Sequence, residues 1–254
     1  PKVENKRKSF FFKKMDITER ERPFTIIVEG NIGCGKSTLI KLFSQNPEID
    51  ILPEPLEKWC NLEGHNLLQM MYEDPCRHSM TLQSYIQLTM AQNHCKNASS
   101  SKTKVKIMER SIFSAQNIFV ENLWKNKKLA DSEYEVLCAW YKFLTTSESV
   151  DLKVDLIVYL RVAPEVAWER VKKRARSEED TVSLEYLTEL HELHEKWLMS
   201  SDLKLSGPIM VVDVNKSFEE LPVIHREIKK KIYESMEQAG VNLMKNDKNC
   251  CWIC

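Results

Sequence analysis

Three of the six glycines in this 254-residue chain fall within six positions, in the run Gly30-Asn31-Ile32-Gly33-Cys34-Gly35-Lys36-Ser37. The run fits the template G-x-x-x-x-G-K-[ST], and its flanks fit the same reading. Phe24 to Glu29 is an apolar, β-branched run suited to a buried strand, and Ser37 to Phe43 has the character of a helix. Glycines at such a strand-to-helix turn let successive backbone N–H groups curl round phosphate, with the positive end of a helix dipole behind them. Lys36 reaches the outer phosphates and Ser37 offers a hydroxyl to Mg²⁺. The chain therefore holds a nucleoside triphosphate.

With 43% hydrophobic residues a chain of this length can build one substantial α/β domain. Lys plus Arg equals Asp plus Glu at 37 each, without the basic excess of a nucleic-acid surface, so the expected partner is a small molecule. Eight scattered cysteines and no secretory apolar stretch read as reduced thiols inside a cell. No stretch reaches the roughly 20 apolar residues of a membrane span. Residues 1–14 carry six Lys or Arg against one acid around Phe10-Phe11-Phe12. A transit-segment remnant, a nuclear-type basic patch and a disordered tail all fit, leaving cytosol, mitochondrion and nucleus open.

Further along, Ile49 to Leu52 reads as a short strand ending at Pro53-Glu54-Pro55, where two prolines fix the backbone around one carboxylate. Helical spacing covers Leu67 to Tyr72 and Met80 to His94, interrupted at Asp74-Pro75. Val105 to Met108 is a buried strand followed by Glu109-Arg110-Ser111. Two helices, about 112–125 and 132–147, precede a strand at Val154 to Leu160 and a helix at Ala163 to Arg174. A helix at Leu184 to Met199, a strand at Ile209 to Asp213 and a helix at Phe218 to Gln238 complete the series. Alternation of this kind predicts a doubly wound, parallel, five-stranded sheet with helices on both faces, its ligands beyond the carboxyl ends of the strands. We expect a flexible basic segment over 1–22, one domain over 23–238 with a basic lid at about 170–180, and a flexible, cysteine-containing tail over 239–254.

A GTPase would need D-x-x-G and N-K-x-D; no glycine has an aspartate three places before it, and Asn215-Lys216 runs into Ser217-Phe218. A small-molecule kinase needs an acceptor pocket, an orienting carboxylate and cations for the transferred phosphoryl group, and all are present. The segments 24–33, Glu54-Pro55-Leu56-Glu57-Lys58-Trp59, 107–115 (Ile-Met-Glu-Arg-Ser-Ile-Phe-Ser-Ala) and Arg174-Ala175-Arg176-Ser177-Glu178-Glu179 resemble the deoxyribonucleoside kinase family, in particular its insect multisubstrate and mitochondrial thymidine kinase branch.

That resemblance implies transfer of the γ-phosphoryl of ATP, with Mg²⁺, to a deoxynucleoside 5′-hydroxyl, by a homodimer packed through helices. It assigns ATP to the stretch Gly30, Asn31, Ile32, Gly33, Cys34, Gly35, Lys36, Ser37 and Thr38, with Lys216, Ser217 and Phe218 near the adenine. Glu54 takes or orients the 5′-hydroxyl proton, Arg110 holds that carboxylate, and Ser37 and Glu109 hold Mg²⁺; which glutamate accepts the proton stays open. Gln83 reads the base through its amide, while Trp59, Met71, Leu82, Ile86, Met90, Ala115 and Phe119 wall it, and Tyr72 and Glu179 bind the 3′-hydroxyl. Arg170, Arg174 and Arg176, among five cations in seven residues, form a lid over the phosphates.

Relatives selective for deoxycytidine carry Arg and Asp where this chain has Met90 and Ala115, so thymidine is expected to be favoured, with deoxycytidine also accepted. Leu82 stands where the insect enzyme has an aromatic, and Gln116-Asn117 where it has Arg-Tyr. Cys34 replaces a small P-loop residue beside Lys36, so oxidant sensitivity is expected. The chain ends Cys251-Trp252-Ile253-Cys254, a loose match to a C-a-a-X prenylation signal and equally a C-x-x-C thiol pair.

Overall fold

A computed structural model describes residues 22–147, 150–174, 182–200, 207–216 and 220–244. Five strands, β1 (Phe24–Glu29), β2 (Ile49–Leu52), β3 (Val105–Glu109), β4 (Leu156–Arg161) and β5 (Ile209–Asp213), form one parallel sheet in the order β2-β3-β1-β4-β5. The order reverses at β1, so the crevice for ligands opens beyond the carboxyl ends of β1 and β3.

Strand alternation divides the core into two layers. Ile26 and Val28 of β1 join Ile107 and Val158 against the face covered by α1 (Lys36–Lys41), α8 (Pro164–Arg174) and α10 (Leu221–Gln238). Ile27 joins Met108, Ile157 and Tyr159 on the other face, beneath α4 (Pro75–Cys95) and α7 (Asp131–Thr146). β1 is buried along its whole length because helices cover both sides.

Several boundaries differ from the sequence reading for identifiable reasons. The expected interruption at Asp74-Pro75 is the cap of α4: Asp74 Oδ1 accepts from the Arg77 N–H at 3.3 Å, and Pro75 occupies the first turn, where its missing N–H costs nothing. At the far end of α4 the buried Lys106 of β3 donates to the His94 and Lys96 carbonyls at 2.8 and 2.7 Å. Between Ile112 and Lys125 the chain forms α5 (Ile112–Ser114), a π-helical stretch (Ala115–Val120) and α6 (Glu121–Lys125). The five-residue α2 (Leu56–Cys60) was not foreseen, being too short to show a period. Helix α3 spans Leu67–Glu73 and α9 spans Leu184–Leu198.

Residues at the inner edges of both expected flexible segments make defined contacts. Arg22 binds Asp155, Nη1 to Oδ2 at 2.8 Å. Past α10, Val241 is buried, Asn242 accepts from Lys104 Nζ at 2.8 Å, and the Met244 N–H donates to Glu48. The remainder of both ends, including the terminal cysteines, lies outside the described residues. Among the described residues no helix is long and apolar enough to cross a membrane.

Candidate active site

The turn after β1 is built around backbone approaches that admit no side chain. Gly33 has φ +80°, and a Cβ there would lie 2.5 Å from the Ala167 carbonyl oxygen. Gly30 has φ +140°, and its Cβ would meet the Leu160 carbonyl oxygen at 2.6 Å. Lys36 is enclosed beneath this loop, donating to the Gly30 and Asn31 carbonyls at 3.0 and 2.8 Å. Burial, and next the charge of Arg110, lower its pKa. Asn31 ties the loop to α9, its Nδ2 donating to the Leu187 carbonyl at 2.8 Å. Cys34 is wholly buried with Sγ 3.7 Å from Lys36 Nζ, so an oxidant reaches it only if the loop opens.

Ser37, at the start of α1, donates to Glu109 Oε1 at 2.6 Å. A hydroxyl and a carboxylate at this separation offer the hard oxygen donors that Mg²⁺ takes, and both line the cavity beside Lys36.

Glu54 leaves β2 between its two prolines and meets Arg110 from the end of β3, Oε1 to Nε at 3.1 Å. Arg110 also donates through Nη1 to the Gly30 carbonyl at 3.1 Å and lies over the Phe119 ring, 4.8 Å from its centroid. Gly30 O therefore collects both buried cations of the site. Arg110 holds φ +60°, a left-handed conformation unusual for a side-chain-bearing residue and concentrated at functional sites.

These groups open onto a cavity of about 530 Å³, large enough for a drug-sized ligand. Every base and sugar residue expected from the sequence that the structure describes lines it: Glu54, Trp59, Met71, Tyr72, Leu82, Gln83, Ile86, Met90, Arg110, Ala115 and Phe119. Trp59 is fixed by donation from Nε1 to Thr89 Oγ1 at 2.9 Å. Gln83 is 3% exposed, and its Oε1 has no hydrogen-bond partner among the described residues. An unpaired amide oxygen in an otherwise apolar wall is suited to a ligand donor. Ile32, Gly33, Gly35, Lys36, Ser37, Thr38 and Arg174 line the same space, so the phosphate and acceptor regions are continuous.

Arg170 departs from its expected place among the lid cations. The residue is 9% exposed, and its guanidinium donates through Nη2 to the Val214 and Lys216 carbonyls at 2.7 and 2.8 Å. It braces the loop after β5, whereas Arg174, one turn further along the same face of α8, reaches the cavity. Arg176, Glu179, Ser217 and Phe218 lie outside the described residues.

Sequence reasoning missed Tyr186, Ser111, Ser114, Leu56, Leu68 and Leu123, which also line the cavity. Ser111 and Ser114 carried a legible signal, a serine pair at capping spacing, and they form a capping box at the start of α5. Tyr186, in the first turn of α9, carried none; burial, and next the nearby Tyr72, raise its pKa.

Comparison with known proteins places these features in context. Residues 26–237 match a family model described as deoxynucleoside kinase. The chain is 44% identical to human "Thymidine kinase 2, mitochondrial" over 204 residues, which is 80% of this chain and 75% of that protein. It is 33% identical to chicken "Deoxycytidine kinase 2" over 231 residues, covering 81% and 87% of the two chains. With mouse "Deoxycytidine kinase" the identity is 34% over 244 residues, covering 85% and 92%.

Proposed function

The chain belongs to the deoxynucleoside kinase family and is an ATP-dependent kinase of nucleotide salvage; within that activity we propose that it phosphorylates the 5′-hydroxyl of pyrimidine deoxynucleosides, thymidine and deoxycytidine first among them. The observation that carries this reading is the single continuous cavity in which the Lys36 region meets the Glu54–Arg110 pair and the unpaired Gln83 amide oxygen.

Glu54 orients the 5′-hydroxyl and takes its proton, and Arg110 holds that carboxylate in place. Lys36 turns from the Gly30 and Asn31 carbonyls to the outer phosphates, and Arg174 adds positive charge from the cavity wall, as phosphoryl transfer requires. Ser37 and Glu109 would hold Mg²⁺, which supplies charge neutralisation at the phosphates. Trp59, Met71, Leu82, Ile86, Met90 and Phe119 enclose the base and Gln83 pairs with its edge, while Tyr72 and Glu179 take the 3′-hydroxyl. Small Ala115 and uncharged Met90 leave room for a thymine methyl group.

We further propose a homodimer. Val136, Trp140 and Phe143 lie on one face of α7 at helical spacing and are exposed, Trp140 by 55% and Phe143 by 61%. Apolar side chains grouped like this mark an interaction surface. Light scattering of wild type beside Trp140→Glu tests it; a wild-type monomer removes it.

The decisive assay is Mg²⁺-dependent phosphorylation of the four deoxynucleosides and thymidine monophosphate by wild type and Glu54→Gln. Thymidine and deoxycytidine turnover, lost in the variant, is the expected result. Turnover of the monophosphate alone would make the protein a nucleotide kinase.

A further inference from the structure

Glu29, the last residue of β1, is wholly enclosed, with no solvent exposure. Its Oε1 accepts from the Ser111 hydroxyl at 2.5 Å, and its Oε2 has no hydrogen-bond partner among the described residues. Burial pushes the carboxyl up to about 7, against the Ser111 hydrogen bond and the positive charge of Arg110. A carboxyl kept in such surroundings is costly and has no place in the chemistry assigned above.

Its neighbours supply a use. Arg110 is held at φ +60°, and a conformation of that kind, costing about 1–3 kcal/mol, persists only where the surroundings over-determine it. Three consecutive residues of the β1 end do so. The Val28 carbonyl accepts from the Arg110 N–H at 3.0 Å, Glu29 takes the Ser111 hydroxyl, and the Gly30 carbonyl takes Arg110 Nη1. From the other side, Ser114 Oγ accepts from the Ser111 N–H at 3.1 Å. The backbone, the following side chain and the guanidinium are thus each fixed by one residue at the junction of β1 and the phosphate loop.

We propose that Glu29 is a positioning residue for phosphoryl transfer: through the Ser111 hydroxyl it locks the Arg110-Ser111 turn, so that Arg110 stays aimed at Glu54. The proposal rests on the kinase reading. It couples the two halves of the site, because the strand end that shapes the ATP loop also sets the arginine that orients the acceptor-side carboxylate. Glu29 itself touches neither substrate.

Four proteins test it: wild type, Glu29→Gln, which keeps an acceptor for Ser111, Glu29→Leu, which does not, and Ser111→Ala. The readouts are kcat and KM for thymidine, and ATP–Mg²⁺ affinity by calorimetry. Losing one buried hydrogen bond that acts on the reacting geometry should lower kcat about tenfold in Glu29→Leu and in Ser111→Ala, with ATP affinity within about twofold of wild type. Glu29→Gln should recover most of the loss, and the Glu29→Leu/Ser111→Ala double variant should be no worse than either single one. Equal losses in kcat and ATP affinity, no recovery by Gln, or additive effects would overturn the proposal. If Glu29→Leu does not fold, Ser111→Ala decides: an unchanged kcat rejects the positioning role. Wild type that binds ATP–Mg²⁺ but phosphorylates no nucleoside would instead overturn the kinase reading.

Discussion

Glu54 and Arg110 leave different strands, separated in the sheet only by their own neighbouring backbones, and meet with Oε1 3.1 Å from Nε. The pair joins the carboxylate proposed to accept a proton to a cation that is itself tied to the phosphate loop through Gly30. Replacing Glu54 by Gln keeps the shape and removes the base. A fall in kcat of about 10²- to 10⁴-fold is expected, with thymidine KM changed far less. Steady-state kinetics check it, and a kcat within tenfold of wild type would move the proton-accepting role to Glu109.

Arg170 and Arg174 lie one helical turn apart but face different surroundings, and their variants should separate accordingly. Arg174→Ala removes a cation lining the cavity and should lower kcat, by up to the roughly 10³-fold or more associated with arginines at a transferring phosphoryl group. Arg170→Met strips two carbonyls of the loop after β5 and should act through ATP KM and thermal stability. Initial rates at varied ATP, with melting curves, distinguish the two patterns.

Gly33→Ala should be damaging out of proportion to its one methyl group. The added carbon would sit 2.5 Å from the Ala167 carbonyl oxygen at φ +80°, so the loop must move to accommodate it. Gly64→Ala is a control with similar backbone strain, φ +89°, and nothing within 4 Å. The control should cost about 1–2 kcal/mol of stability, and Gly33→Ala should cost more and also weaken ATP binding. Equal melting temperatures would refute the steric account.

The sheet was legible because β1 and β4 are apolar runs that burial explains and the strands are set off from one another by helical spacing. That these side chains line one cavity was legible through the family resemblance alone, since nothing in an isolated Gln83 or Met71 distinguishes it from core or surface. Arg170 was misplaced because a run of cations does not reveal which of them meets backbone carbonyls; that depends on which turn of α8 lies beside the loop after β5. Glu29 stayed invisible for a related reason, since its partner Ser111 is 82 residues away and meets it only when β1 and β3 pair.

Buried histidines contribute to the acid sensitivity of the fold. Burial depresses the pKa of His94, and likewise of His194, to about 3, with the charge of Lys106 next in the first case and of Arg110 in the second. Between the ordinary histidine value and about 3 the unfolded chain binds more protons, so their contribution to stability is present above pH 6.5 and drains away as pH falls. Glu29 acts oppositely, favouring the fold below pH 4.5 and losing that contribution as pH rises to about 7. Denaturant unfolding between pH 4 and 7 should show stability increasing with pH, and His94→Leu should flatten the slope. An unaltered slope in that variant would mean that His94 is not held neutral.

The π-helical stretch Ala115–Val120 puts a constraint on how this enzyme can vary in length. Ala115 and Phe119 both border the cavity, while Gln116 on the same turn is buried and donates to Cys138 of α7. Removing one residue between Ala115 and Phe119 would let the stretch relax to an α-helix; six π-helical residues and five α-helical ones turn through nearly the same total angle, so α6 would keep its phase and the change would fall on the cavity wall itself, where Phe119 would lie three residues rather than four from Ala115. The count between Ser114 and Glu121 thus sets how the cavity wall is presented, separately from the side chains that form it. Insertions and deletions in descendants of this sequence should therefore fall elsewhere, and libraries that seek new acceptors should hold that spacing fixed.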